Sequence, residues 1–172
     1  MKLNEIIFKG ECVMKDKKAE SLKKRTFADM ICSFVIATVS LFVFIIKLWV
    51  YFSAGKTYPG HIIYGLYALF VFAFTIITGL ILLEVSKIGR PFSKKIINKL
   101  RVLAILVIAA GLLPDSAAIV IHNTFNPAAK VGFEFVFSTK NLIISVVGVI
   151  IGIISEIFVY GYELQDDIDL IA

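Results

Sequence analysis

HIIYGLYALFVFAFTIITGLILL, residues 61–83, contains no Asp, Glu, Lys or Arg. A transmembrane helix needs roughly 20 mainly apolar residues to cross a hydrocarbon core about 30 Å thick, so this stretch alone points to the membrane. Three more runs meet the same test: Met30 to Phe52, interrupted only by Lys47; Val102 to Ile121, which contains Pro114 and Asp115; and Leu142 to Tyr160, with Glu156 near its end. Lipid offers no partner to backbone N–H and C=O groups, so each run reads as helix even where Val, Ile and Phe would favour strand in water.

The composition agrees. Of 172 residues 59% are apolar or aromatic and 18% charged, and the mean hydropathy is +0.89, whereas a soluble domain sits near 45 to 50% apolar and a quarter charged. An ordinary soluble enzyme and a disordered chain are disfavoured. The net charge of +5 would fit nucleic acid, but the cations flank apolar runs and form no free patch, so direct nucleic-acid binding is not expected.

The positions of those cations predict an orientation. Lys2, Lys9, Lys15, Lys17, Lys18, Lys23, Lys24 and Arg25 precede the first run, and Lys87, Arg90, Lys94, Lys95, Lys99 and Arg101 lie between the second and third. Only Lys47, Lys56, Lys130 and Lys140 belong to the other side. The positive-inside rule then puts both termini in the cytoplasm. Trp49, Tyr51, Tyr58, Tyr64 and Tyr67 crowd the first outer turn, where amphipathic rings suit the headgroup layer. The first run is longer than a signal peptide's apolar region and has no clear small-x-small cleavage site, so it reads as a retained span.

The expected fold is therefore an all-α integral membrane protein, a four-transmembrane-helix bundle in the cell membrane. A basic cytoplasmic lead covers residues 1–28, the membrane domain 29–160 with spans near 30–52, 61–83, 102–121 and 142–160, and an acidic cytoplasmic tail 161–172. In the lead, Leu3, Ile6, Ile7 and Phe8 fit a short interfacial turn before Gly10; a partly ordered basic lead held near anionic lipid is expected, with a docking helix as the alternative. Ser93 is placed to cap a helix that enters the third span, with Pro91 keeping the preceding chain out of it. Between Asn123 and Asn141 the alternation of Phe133, Phe135 and Phe137 predicts a short strand or an extended segment on the membrane surface.

Two short motifs carry a resemblance. Gly89-Arg90-Pro91-Phe92-Ser93, continuing to Asn98, Leu100 and Arg101, and the end from Ile157 through Gly161, Glu163, Leu164, Gln165, Asp166, Asp167 and Asp169 to Leu170 resemble the uncharacterised bacterial membrane family DUF2975. The resemblance implies four spans over nearly the whole chain, a Gly-x-Pro-Phe-Ser inner loop and a Leu-Gln-acidic tail. It implies no reaction, and it implies a small helix-turn-helix regulator encoded nearby. Lys95 and Ile96 stand where Glu-Asn often follows the Ser, so a capping role of that Glu is absent here.

Few residues carry candidate chemistry. Asp115 is a carboxylate in the outer third of a span, costly on insertion scales by about 2.5 to 3.5 kcal/mol unless paired, neutral or wetted. Lys47 lies at a similar height, so a Lys47–Asp115 contact between spans one and three is predicted. Its structural reading is an ion pair or a wetted turn, and its functional reading an ion or ligand site. Glu84 and Glu156, at the inner ends of spans two and four, read as interfacial carboxylates pairing with Lys87 or Arg90; a proton relay is the functional alternative. His61, His122 and Glu134 are metal-ligand types without ligand spacing, and no metal or cofactor is expected. Cys12 and Cys32 form no Cys-x-x-Cys motif, which argues against a disulfide oxidoreductase. Gly148 and Gly152, with Ser145, make a close-approach face for which Ser33 and Ala37 of span one are the expected partner, a homodimer being the alternative. The tail acids Glu163, Asp166, Asp167 and Asp169 oppose the helix macrodipole; a clasp back onto the basic inner segments and plain solvated charges are the two expectations, and docking of a basic partner is the sharper alternative. The function expected is non-catalytic and regulatory or accessory, with a cytoplasmic partner. A small transporter or channel subunit using Asp115 and a bacteriocin self-immunity protein are the alternatives.

Overall fold

The computed structural model describes the backbone of residues 2–53, 58–88, 93–125 and 135–171, with the side chains of 2–23, 88, 165, 166 and 168–171 outside the description. The described residues form five helices: α1 (Lys2–Ser53), α2 (Gly60–Ile88), α3 (Lys94–Leu112), α4 (Pro114–Phe125) and α5 (Thr139–Ile171). Three are long and apolar enough to cross a membrane, over Lys24–Ser53, Gly60–Lys87 and Thr139–Leu164, and α3 with α4 makes a fourth if that pair, bent by 55°, is one span. This is the build of a multi-pass membrane protein.

The bend follows from one residue. Leu113 N–H still reaches the Ala109 carbonyl at 2.9 Å, and regular bonding resumes with Ala117 N–H to the Leu113 carbonyl at 2.8 Å. Between them Pro114 has no N–H to give the Ala110 carbonyl, so the ladder breaks and Pro114 becomes the first residue of a new helix, a position its ring tolerates.

Two expectations about local structure are corrected. The amino-terminal lead forms no short turn ending at Gly10: α1 is helical from Lys2 without a break. Glu5, Glu11 and Glu20 each stand four positions before a lysine (Lys9, Lys15, Lys24), a spacing that supports helix, and the apolar half supplies the nucleus from which the helix extends. The described part of the 123–141 connection, residues 135–138, is extended but not strand. Val136 gives its N–H to Ser116 Oγ at 3.2 Å and its carbonyl to Asn141 Nδ2 at 3.2 Å, so side chains take the bonds a ladder would need. Phe135 and Phe137 still share a face, their rings stacked at 6.3 Å.

The helices pack as two antiparallel pairs. α1 lies along α2 and α3 along α5; α2 meets α3 and α4 between the pairs, and among the described residues the backbones of α1 and α5 make no close approach. In the first pair the small residues Ser33, Ala37 and Ser40 are buried. Ser33 Oγ donates to the Thr75 carbonyl at 2.7 Å, and Gly79 sits under the Phe34 ring. In the second, Gly148 meets the Ile108 side chain and the backbone of Ile108 and Ala104, while Gly111 meets Asn141 and Ser145. The expected pairing of Ser33 and Ala37 with Gly148 and Gly152 is therefore replaced: each small-residue face packs against another helix.

The glycines of the second pair are unequal. A Cβ on Gly148 would come within 2.8 Å of Ile108 N and 3.0 Å of the Ala104 carbonyl, and one on Gly111 within 2.8 Å of the Asn141 carbonyl, whereas one on Gly152 would rest 3.8 Å from Ala104 Cβ. Gly111→Ala and Gly148→Ala should each destabilise the protein by about 1–3 kcal/mol through overpacking against backbone. Gly152→Ala should be neutral or stabilise by up to about 1 kcal/mol from helix propensity. Reversible unfolding in mixed micelles measures all three, and equal effects at the three sites would contradict this packing.

Candidate functional site

The far end of the molecule, where α1 ends and α5 begins, holds a buried polar cluster around the Pro114 break. Asp115 follows the proline in the first turn of α4, so its carboxylate sits at the positive end of a helix dipole, and only 4% of the residue is exposed. Lys140 Nζ donates to Asp115 Oδ1 at 3.2 Å and lies 4.8 Å from the centre of the Tyr67 ring. The Tyr67 hydroxyl points at Asp115 Oδ2 at 3.4 Å and Asn141 Oδ1 at 3.5 Å. Ser138 Oγ donates to the same Asn141 oxygen at 2.8 Å, and Asn141 itself has no exposed surface.

These bonds join four elements. Tyr67 comes from α2, Asp115 and Ser116 from α4, Val136 and Ser138 from the extended segment, and Lys140 and Asn141 from the first turn of α5. A buried carboxylate needs a paired cation and filled acceptor positions, and this one has both. Lys140 reaches it from the edge, its side chain 54% exposed.

The predicted Lys47–Asp115 contact is thereby corrected. Lys47 instead stands 5.6 Å from the Tyr64 ring centre, and its Cβ faces Gly65 on α2. The similar height of the two residues along their spans said nothing of which helices adjoin, and α1 packs on α2. Lys140 was hidden because it stands outside the apolar run, where a cation counts as loop; its place two residues before the run that begins at Leu142 was the available signal. Asn141 was visible as a polar residue immediately before Leu142 but carried no spacing motif.

The aromatic belt divides. Trp49 is 71% exposed, and Tyr58 and Tyr64 are exposed too, as the belt requires, but Tyr51 is 1% exposed. Its hydroxyl lies 3.2 Å from His122 Nδ1, in a core with Ile62 and Ala118. His122 is thus engaged with a tyrosine, and the described residues contain no group of three metal-ligand side chains; Glu134 lies outside them. His61 packs edge-on to Tyr58.

At the opposite, basic end, both Glu84 and Glu156 are paired, though with partners other than Lys87 or Arg90. Lys99 of α3 contacts Glu84 of α2, and Arg101 of α3 binds Glu156 of α5 through both guanidinium and carboxylate forks at 3.0 to 3.2 Å. Ser93 caps α3 as its sequence position predicts, accepting from Ile96 N–H at 3.3 Å; Gly89, Pro91 and Phe92 lie outside the described residues. The tail does not turn back as a clasp: α5 continues as helix to Ile171, with Glu163 and Asp167 exposed and the side chains of Asp166 and Asp169 outside the description. Its contact with the basic segment is Lys94 over the Tyr162 ring at 5.3 Å.

Residues 52–171 match the protein family described as "Protein of unknown function (DUF2975)". The match covers α2 to α5, the far-end cluster and both inner ion pairs, and the chain belongs to this family. No curated protein and no solved structure matches it.

The Asp115–Lys140 assignment is open to a double-mutant cycle. Asp115→Asn should lower stability by about 1–2 kcal/mol, since the amide keeps one acceptor and loses the charge. Its coupling to Lys140→Gln should be about 1 kcal/mol, while its coupling to Lys47→Gln should stay within about 0.5 kcal/mol, as for separated sites. A coupling larger at Lys47 than at Lys140 would reverse the assignment.

Proposed function

We propose that this member of the DUF2975 family is a non-catalytic, four-span protein of the cell membrane whose cytoplasmic face holds a protein partner. The bent α3–α4 pair is taken as one span, and the positive-inside distribution places both termini in the cytoplasm. The observation that carries the reading is α1. Its apolar run begins at Met30, yet the helix begins at Lys2, so about 42 Å of helix at 1.5 Å per residue precedes that run as a polar arm. The acidic end of α5 extends from the same face, with the basic start of α3 between them.

The carboxylates of the membrane region favour this over a transport role. Asp115, Glu84 and Glu156 each hold a cation from another helix, which fits a scaffold more than a relay whose groups must be free to exchange protons. The partner class is a soluble cytoplasmic protein that accepts a mixed-charge helix. A small helix-turn-helix regulator, the neighbour that the family resemblance implies, is the first to test.

Reporter fusions at Ala172 and after Lys56 should report cytoplasmic and external positions respectively, and an external Ala172 would sink the topology. Affinity capture of the full-length protein from solubilised membranes should recover a partner that is lost when residues 2–20 are removed, a deletion that retains Lys23, Lys24 and Arg25. Neutralising Glu163, Asp166, Asp167 and Asp169 together distinguishes the two arms of the face. Capture of the same partner by the truncated and neutralised forms would refute docking at this surface.

A further inference from the structure

At the basic end, the finishing turns of α2 and the opening turns of α3 diverge around a cleft of about 340 Å³ lined by Leu80, Leu83, Glu84, Lys87, Lys95 and Lys99. We propose that this cleft binds the headgroup of an anionic phospholipid, with Leu80 and Leu83 against the upper part of an acyl chain. This goes beyond partner docking and does not depend on it.

The charges in the cleft do not balance. Glu84 is taken by Lys99, which also donates to the Leu80 carbonyl at 3.4 Å. That leaves Lys87 and Lys95, both exposed, with no carboxylate partner among the described residues. Three lysines and one glutamate give the cleft a formal charge of +2. Its floor is leucine. A phosphodiester with one negative charge and an apolar chain below it complements both features, and basic pockets between transmembrane helices on the inner side are suited to anionic headgroups.

The helix direction makes the same demand. α3 begins with Lys94 and Lys95 and has no acidic residue in its first turn, although an N-terminus carries partial positive charge and is stabilised by anions. Two cations at that end are unfavourable unless an anion lies close by. Lys94 turns toward the Tyr162 ring, while Lys95 turns into the cleft, opposite Lys87 from the last turn of α2. A bound phosphate would sit between two cations and near the positive end of a helix, offsetting the unfavourable placement of both lysines.

The source is committed as lipid because the apolar floor has no role for a free anion. The test is native mass spectrometry of the full-length protein released from nanodiscs holding equal amounts of phosphatidylglycerol and phosphatidylcholine. Wild type should retain phosphatidylglycerol in preference. Each cation near a headgroup contributes roughly a fivefold preference, so Lys87→Gln with Lys95→Gln should reduce it by roughly twenty-five-fold, while Lys87→Arg with Lys95→Arg should retain it. The charge-matched pair Lys17→Gln with Lys18→Gln, on α1, should change it little. Equal retention of the two lipids by wild type, an unchanged preference in the Lys87/Lys95 glutamine pair, or an equal loss in the Lys17/Lys18 pair would each overturn the site. Displacement of the lipid by excess inorganic phosphate would overturn it as a lipid site.

Discussion

Asp115 is a charge that hydrocarbon would reject, set beside a proline that hydrocarbon would also penalise, and the far end is arranged to answer both at once. Pro114 breaks the ladder and starts a short helix, and the positive end of that helix meets the carboxylate that follows it. Lys140 neutralises the carboxylate from the first turn of α5, Tyr67 reaches it from α2, and Asn141 ties the incoming extended segment to the same point. Removing the acid would leave the Tyr67 hydroxyl and the Lys140 ammonium without the carboxylate that both reach. A backbone irregularity at membrane depth is tolerated where protein covers it, and here the cover and the charge partner are the same residues.

With that end tied, the rest is decided by close approach. Between helices in lipid there is little hydrophobic driving force, so association depends on backbones coming near enough for dispersion and short polar contacts. Ser33 at Thr75 and Gly79 under Phe34 do this for α1 and α2, with Ala37 and Ser40 also buried, and Gly111 with Gly148 for α3 and α5. The outward faces are the reverse: Ile31, Val35, Phe42, Ile46, Ile143, Ile150 and Ile157 are all exposed large hydrophobics, which bilayer acyl chains solvate at no cost. The two pairs join along α2, α3 and α4, so the cluster that roots α4 also spans the junction.

Much of this was legible in the chain. The apolar runs and the Ser93 cap follow from length rules and local stereochemistry, which need no knowledge of neighbours. Partners were less legible. Asp115 announced that it needed a cation, but Lys47 and Lys140 differ only in which helices adjoin, and that is settled by small residues on faces the sequence does not pair. Gly148 was visible through its spacing to Gly152; Gly111 on the facing helix was not, since a lone glycine in an apolar run has no period. The continuous α1 was concealed because a lysine-rich segment resembles a solvated lead until its glutamates are placed four residues ahead of lysines and the helix is seen to have a ready nucleus in the span.

The role of α3 gathers these points. It starts in charged residues and ends at a break, and both ends are held by other helices: Lys99 to α2 and Arg101 to α5 at its start, and the Asp115 cluster just past its end. A forked arginine pair fixes orientation more strictly than a lysine contact, because two parallel bonds leave little rotational freedom. The partly exposed pair at Glu156 therefore matters less for net stability, where exposed pairs contribute about 0 to 1 kcal/mol, than for the register of α5 along α3. That register is what brings Gly148 opposite Ala104 and Ile108 and Ser145 opposite Gly111. A shift by one turn would move both contacts off their small residues and carry Lys140 away from Asp115, so the ion pair at one end, the glycines between and the buried carboxylate at the other all specify the same alignment.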